Sequence, residues 1–361
     1  MSSIRVEPSP AALAVTAYSP PPFGRPVTLK LDANEGAAPG AGLDELLAGV
    51  GPGDLSGYPN ARGLEAALAR DLGVGSERIV VTAGADDAIE RILRAVLWEG
   101  RNAVLPVPTF EMIGRYAKMT GGDIRPVEWM EGPLPVDRML ERVDAGTGAV
   151  CVVTPNSPTG LAATADDLRR LSRAAPTALL VVDLAYTEFA TEDLTGCVLE
   201  LENGLAIRTM SKAWGLAGLR VGYAAGPQEV VGWMRSLGHP YAVSSLSLKV
   251  AGALLERRGE VAERVSGTRR RRDELAGLLA DLGMGCGPSE GNFVLAATRR
   301  AGEIREELAA RGVAVRSFPG DPLLEDRLRI TIPTSDGDMA LLAGALREAS
   351  RACGAEGGDA G

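Results

Sequence analysis

Between about residues 43 and 250, short continuous apolar runs alternate with segments of helical period, and this alternation limits the fold more than any other feature of the chain. The run at 79–82 stops at Gly84. Ile89, Ile92, Leu93, Val96 and Leu97 then recur at helical spacing. Runs at 103–107, 149–153, 178–182, 205–209 and 221–224 repeat the theme. A strand that is apolar at every position has both faces covered. The expected core is therefore a mostly parallel sheet with helices on either side. After about residue 250 the pattern changes. Residues 248–282 read as a long helix broken near Gly259, followed by strands at 292–297, 313–316 and 327–332 and helices at 303–311 and 336–350. The expected organisation is an α/β chain with an N-terminal arm (1–42), a large domain (43–250), a smaller α+β domain (251–350) and a flexible tail (351–361). Pro-rich residues 1–30 lack a clear period and read as an extended arm packed on a partner. The arginine run 269–272 falls on the long helix and reads as a solvated face among acidic neighbours.

With 361 residues, 45% of them apolar, the chain can bury a core of this size. Its net charge of −9 argues against nucleic acid and anionic membrane surfaces as partners. No apolar run reaches the ~18 residues of a membrane span, and the N-terminus lacks a charged-then-apolar signal layout. The four cysteines are scattered without CxxC or zinc spacing, as expected of reduced thiols in a cytoplasmic protein. The single histidine, His239, excludes multi-histidine metal sites, and no metal is expected. His239 receives no catalytic role; nearby Tyr241 is the better candidate to face a site.

The chemistry converges on one amine. The chain has four lysines against 34 arginines, so an ordinary cationic position would carry Arg. Lys212 instead sits in a glycine-rich Ser-Lys loop, with Ser211 before it and Arg220 eight residues on. A guanidinium stays protonated and forms no Schiff base, whereas an amine can. The implied cofactor is pyridoxal 5′-phosphate. Other segments at the ends of the expected strands suit it, and in an open α/β sheet that edge is where ligands bind. The turn Thr82-Ala83-Gly84-Ala85-Asp86 enters a helix, whose first N–H groups, at Ala85 and Asp86, suit a phosphate. The carboxylates of Asp86 and Asp87 must then point away from it. Phe110 suits stacking on a planar ring. The rigid loop from Thr154 to Gly160 can aim Ser157 inward. Asp183 closes an apolar strand, where a carboxylate is costly without a cation; a protonated ring nitrogen supplies one. Tyr186 can donate to the ring's phenolic oxygen. Thr209, Ser211 and Arg220 offer hydroxyls and a forked donor for the phosphate.

With these segments in this order, the chain resembles the fold-type I, class I/II pyridoxal-phosphate aminotransferases, and most of all their histidinol-phosphate aminotransferase branch. Leu31-Asp32-Ala33-Asn34-Glu35 is similar to the branch's LDxNE start, Tyr58-Pro59 to its YP segment, and residues 84–90 to its GADEAIE turn. Residues 208–220 are similar to its RTxSKAxxLAGLR stretch, the most specific of the set. The resemblance implies an aspartate-aminotransferase-like fold and a homodimer with shared sites, in which Tyr58 reaches the cofactor phosphate of the neighbouring subunit. It implies that Arg329 clamps a substrate carboxylate, that Tyr18 and Arg316 hold a substrate phosphate, and that Asn34 belongs to the substrate-facing loop. The implied reaction is ping-pong transfer of an amino group from L-histidinol phosphate to 2-oxoglutarate, with Lys212, Asp183 and Tyr186 as the catalytic set. Transamination of aromatic or other amino acids is the nearest alternative; a lyase resembling threonine-phosphate decarboxylase is another. The chain departs from the family at Ser157, which replaces the second Asn of PNNPTG, at Phe110, which replaces a stacking tyrosine, and at 34–40, which lack NPxG.

Overall fold

In the computed structural model, which describes residues 7–17, 26–40 and 42–354, the strands are β1 (Leu29–Leu31), β2 (Ile79–Thr82), β3 (Asn102–Val107), β4 (Asp123–Glu128), β5 (Thr147–Val153), β6 (Leu179–Asp183), β7 (Gly204–Thr209), β8 (Gly222–Ala225), β9 (Gly285–Cys286), β10 (Phe293–Ala297), β11 (Val313–Ser317) and β12 (Arg327–Thr331). Seven of them form one sheet in the order β2-β8-β7-β6-β5-β3-β4. β8 alone runs antiparallel to its neighbours; the rest are mutually parallel. The apolar runs explain this sheet. Every residue of β5, β6 and β7 is buried, and successive residues feed opposite cores. Leu179 and Val181 join Ile89 and Leu93 on one face, while Leu180 and Val182 join Trp129 and Leu168 on the other. β4 has no such run. Only Val127 of its six residues is buried, and it holds Pro126, which an edge strand tolerates.

The second sheet has the order β1-β11-β12-β10-β9. β1 falls in the segment expected as an arm, yet it pairs parallel with β11, Leu29 opposite Val313 and Leu31 opposite Val315. Upstream, Arg115 of the helix Glu111–Met119 donates to the Thr16 carbonyl. The long helical stretch is two helices, Ser245–Leu255 and Arg258–Asp281, so the break precedes Gly259. No helix among the described residues is long and apolar enough to cross a membrane.

The arginine run is not a solvated face. Four consecutive helical residues point all round the axis, so they cannot share one side. Arg269 donates to the carbonyls of Glu188, Phe189 and Ala190, in the large-sheet part of the chain. Arg271 is buried and donates to Pro333 O (2.8 Å), and Arg272 donates to Gly291 O (3.0 Å). Arg270 faces exposed carboxylates of Glu274 and Asp336. The helix is thereby docked onto both sheets. Beneath the dock, Val261 and Val265 pack with Tyr186, Phe189, Ala213 and Phe293.

Gly222 shows how tightly the large sheet carries the helix that follows β2. A Cβ at Gly222 would stand 2.5 Å from the carbonyl carbon of Gly84, where the helix Gly84–Val96 begins. Gly222→Ala is expected to destabilise the protein by about 1–3 kcal/mol. The measurement is a lower urea midpoint at unchanged slope.

Candidate active site

The parallel strands β2, β3, β5, β6 and β7 end at one edge of the large sheet, and the residues singled out above follow those ends. There a cavity of about 550 Å³ is lined by Phe110, Ser157, Asp183, Tyr186, Lys212 and Arg220, among others. Lys212 Nζ donates to Ala33 O at 3.1 Å and lies 5.7 Å from the Tyr186 ring centroid. Its loop is fixed from behind: Trp214 Nε1 donates to Glu188 Oε1 (2.9 Å), the same oxygen that accepts from Arg208 Nη2 (2.7 Å).

Asp183 is only 4% exposed. Among the described residues its carboxylate receives one hydrogen bond, from the Ala185 N–H to Oδ1 at 3.0 Å. Burial pushes this carboxyl up to about 7, and the negative charge of Asp86 adds to the rise; the Ala185 N–H and the Lys212 charge work against it. A buried carboxylate with so few donors fits a cationic ring N–H.

Thr209, Ser211 and Arg220 meet at the other end of the cavity. Thr209 Oγ1 donates to Ser211 Oγ (2.9 Å), and Arg220 Nη1 donates to the same oxygen (3.3 Å). Ala85 and Asp86 open the adjacent helix, whose first N–H groups have no intrahelical partner. Asp87 turns back as expected, accepting from the Ala83 N–H (2.8 Å) and from Arg91. Asp86 does not. It faces the cavity, because Arg220 Nη2 offers it an ion pair at 2.9 Å. Hydroxyls, guanidinium and helix start together are a donor set suited to a phosphate, and Phe110 adds an aromatic wall.

Ser157, on the cavity wall, accepts at Oγ from Arg329 Nη1 (3.1 Å), and Arg329 Nη2 donates to Asp32 O (2.7 Å); Arg329 itself does not line the cavity. The neighbouring Asn156 is fully buried and ties its own loop to the one after β3, bonded to Thr159, Thr109 and Pro108. Arg316 lies directly opposite Arg329 in the β11–β12 pair, with Nη2 3.6 Å from Glu111 Oε1. Asn34 stands behind the cavity wall, bonded to Tyr186 and Thr331; its neighbours Ala33 and Glu35 line the cavity. Tyr58 is 83% exposed and stacks on Tyr241 with centroids 4.5 Å apart; neither lines this cavity. Tyr241 and His239 line a separate pocket of about 270 Å³. Tyr18 lies outside the described residues.

Among the lining residues that were not candidates are Glu111, Met112 and Tyr116. Their signal was helical spacing: Met112 and Tyr116 are four apart, on one face of the helix that starts after Phe110. Burial, reinforced by the charges of Asp86 and Glu90, pushes the Tyr116 hydroxyl up to about 12.

Residues 51–346 match the model of the family of class I and II aminotransferases. A histidinol-phosphate aminotransferase from Caldanaerobacter subterraneus subsp. tengcongensis is 34% identical over 332 residues, covering 90% of this chain and 93% of that one. Histidinol-phosphate aminotransferase 1 from Trichormus variabilis is 33% identical over 350 residues, covering 94% and 97%. Among solved structures, histidinol-phosphate aminotransferase from Sinorhizobium meliloti in complex with pyridoxal 5′-phosphate is similar at a TM-score of 0.88 and 25% identity, covering 97% of this chain and 99% of that one. The chain belongs to the class I and II aminotransferases and is a transaminase that works with pyridoxal 5′-phosphate.

Proposed function

We propose that this transaminase carries the amino group of L-histidinol phosphate to 2-oxoglutarate, as a cytoplasmic homodimer with shared sites. One observation carries the reading: Arg316 and Arg329 stand directly opposite each other on β11 and β12. Residues paired in this way project from the same face, so two guanidiniums are offered together to an anionic substrate. Both substrates bring two negative charges, one in its phosphate and the other in its two carboxylates. Similarity to histidinol-phosphate aminotransferases over 90% and 94% of the chain supports the same donor.

Bound pyridoxal phosphate supplies the carbonyl that takes the donor's amine and a ring that accepts electrons released at the amine-bearing carbon. The chain's residues divide the remaining work. Lys212 Nζ holds the cofactor and, once freed, takes the proton from the substrate's amine-bearing carbon and returns it. Asp183 holds the ring N–H in its protonated form, by the opposite-charge effect. Tyr186 Oη donates to the ring oxygen, and Phe110 stacks on the ring. Thr209, Ser211, Arg220 and the backbone N–H groups of Ala85 and Asp86 hold the phosphate. Ser157 orients Arg329 for a carboxylate, and Arg316 with Tyr18 takes the donor's phosphate. Tyr58, exposed on one copy, completes the phosphate site of the second.

Histidinol phosphate added without 2-oxoglutarate should replace the visible absorbance of the lysine-bound cofactor with near-ultraviolet absorbance, and 2-oxoglutarate should restore it. A visible band that ignores histidinol phosphate and responds to another amine would remove the substrate assignment and keep the cofactor. Lys212→Ala is expected to abolish turnover; near-normal transamination in that variant refutes the role given to Lys212. Asp183→Asn should slow the reaction about 10²–10³-fold, as for loss of one electrostatic stabiliser.

Asp183 also sets a pH dependence for the cofactor-free protein. Its folded carboxyl titrates near 7, against roughly 3.9 when unfolded. Folding therefore weakens as pH rises from about 4 to 7, by on the order of 4 kcal/mol at most, and no further above that. Asp183→Asn has no charge to bury. Without cofactor it should be more stable than the wild type at pH 8 and lose that advantage towards pH 4, as read by urea unfolding at each pH.

A further inference from the structure

We infer that Asn34 is a positioning residue for Tyr186: its side-chain amide makes the phenolic oxygen an acceptor and so commits the hydroxyl's own proton to the cavity. The inference rests on Tyr186 as donor to the cofactor's ring oxygen, and deepens that reading.

The Asn34 backbone N–H donates to Thr331 Oγ1 at 3.0 Å. The same hydroxyl lies 3.0 Å from Asn34 Oδ1. A threonine hydroxyl has one proton to give, and here it goes to Oδ1. The opposite amide orientation would set two donors on Thr331 Oγ1. It would also strand the threonine's proton, because Thr331 is 2% exposed and no other acceptor for it occurs among the described residues. Thr331 therefore fixes which end of the amide is oxygen. The other end, Nδ2, is 3.0 Å from Tyr186 Oη. Tyr186 Oη accepts there, and no other hydrogen bond reaches it among the described residues. Its own proton is left for the cavity that Tyr186 lines. A hydroxyl that already accepts one hydrogen bond is a stronger donor of the next.

The surroundings hold this amide still. Asn34 is 1% exposed, and its carbonyl accepts from Asn292 Nδ2 at 3.2 Å. Its φ of +53° is left-handed, a region that Asn tolerates better than most residues. The arrangement matters more in this chain because Ser157 stands where the family usually has a longer Asn, and its hydroxyl is engaged by Arg329.

The test is the pH midpoint of the bound cofactor's visible absorbance in the wild type, Asn34→Gly, Asn34→Ala and Tyr186→Phe. Gly takes the left-handed backbone without strain, so it guards against a variant that does not fold. Weaker donation leaves more negative charge on the ring oxygen, beside the proton whose loss the midpoint reports, so the midpoint rises. Both Asn34 variants should raise it by about 0.3–1 unit, the worth of part or all of one hydrogen bond, in the same direction as Tyr186→Phe. A purely space-filling role would lower the melting temperature and leave the midpoint alone. If Tyr186→Phe raises the midpoint while the Asn34 variants stay within about 0.2 unit of wild type, the inference is overturned and the Tyr186 assignment stands. No shift in Tyr186→Phe overturns both.

Discussion

A carboxylate buried at the end of β6 is the constraint around which the site is arranged. The strand that carries Asp183 is closed to water along its whole length, and so are its neighbours β5 and β7. Nothing on that sheet can solvate the charge. One backbone N–H orients Oδ1; several more donors would have held the carboxyl at a low pKa. With one, burial wins and the group titrates near 7. The site is thus built so that an added cation, rather than the protein, stabilises the charged form. That is a reason to read Asp183 as half of an ion pair and not as a helix cap.

A second dependence runs through the short segment that leaves β1. Asp32 O accepts from Arg329, Ala33 O from Lys212, and Asn34 joins Tyr186 to Thr331. Gly36 then lies so close to the Lys212 loop that a Cβ would stand 1.7 Å from the Lys212 carbonyl oxygen. Two of these contacts are made by backbone carbonyls, and the third needs a left-handed Asn. β1 belongs to the smaller sheet while Lys212 and Tyr186 follow strands of the larger one. Arg329 and Lys212 therefore share one support. A rearrangement of the smaller sheet would reach both through the same four residues.

What was legible in the sequence follows from how locally each feature is determined. The strands of the large sheet announce themselves because both faces are buried; Asp183 and Ser157 were found because they close or follow such strands, and Lys212 because it is a rare lysine in a glycine-rich Ser-Lys loop. β4 was silent because an edge strand with one buried residue has no apolar run. β1 was hidden by brevity and by the prolines upstream. The pairs that finish the site were out of reach for a different reason. Asn34 meets Tyr186 across 152 residues and Ser157 meets Arg329 across 172, and neither pair leaves a local pattern. The arginine run failed in the same way: Arg269 binds carbonyls about 80 residues away, which no reading of its acidic neighbours could supply.

The arginines separate by what their partners do to their charge. Arg208 is buried between the carboxylates of Glu188 and Asp193, and serves as a strut behind the Lys212 loop. Arg220 is tied to Asp86 at the half-exposed end of the cavity, where an incoming phosphate competes with a screened pair instead of a buried one. Arg329 donates to a serine hydroxyl and a backbone carbonyl, contacts that help to set its direction. This gives Ser157 a physical role. Its side chain is shorter than the Asn it replaces, but it reaches the Arg329 guanidinium, the proposed carboxylate clamp. In the proposed site, donation to the ring oxygen then falls to Tyr186, whose hydroxyl the Asn34 amide engages from behind.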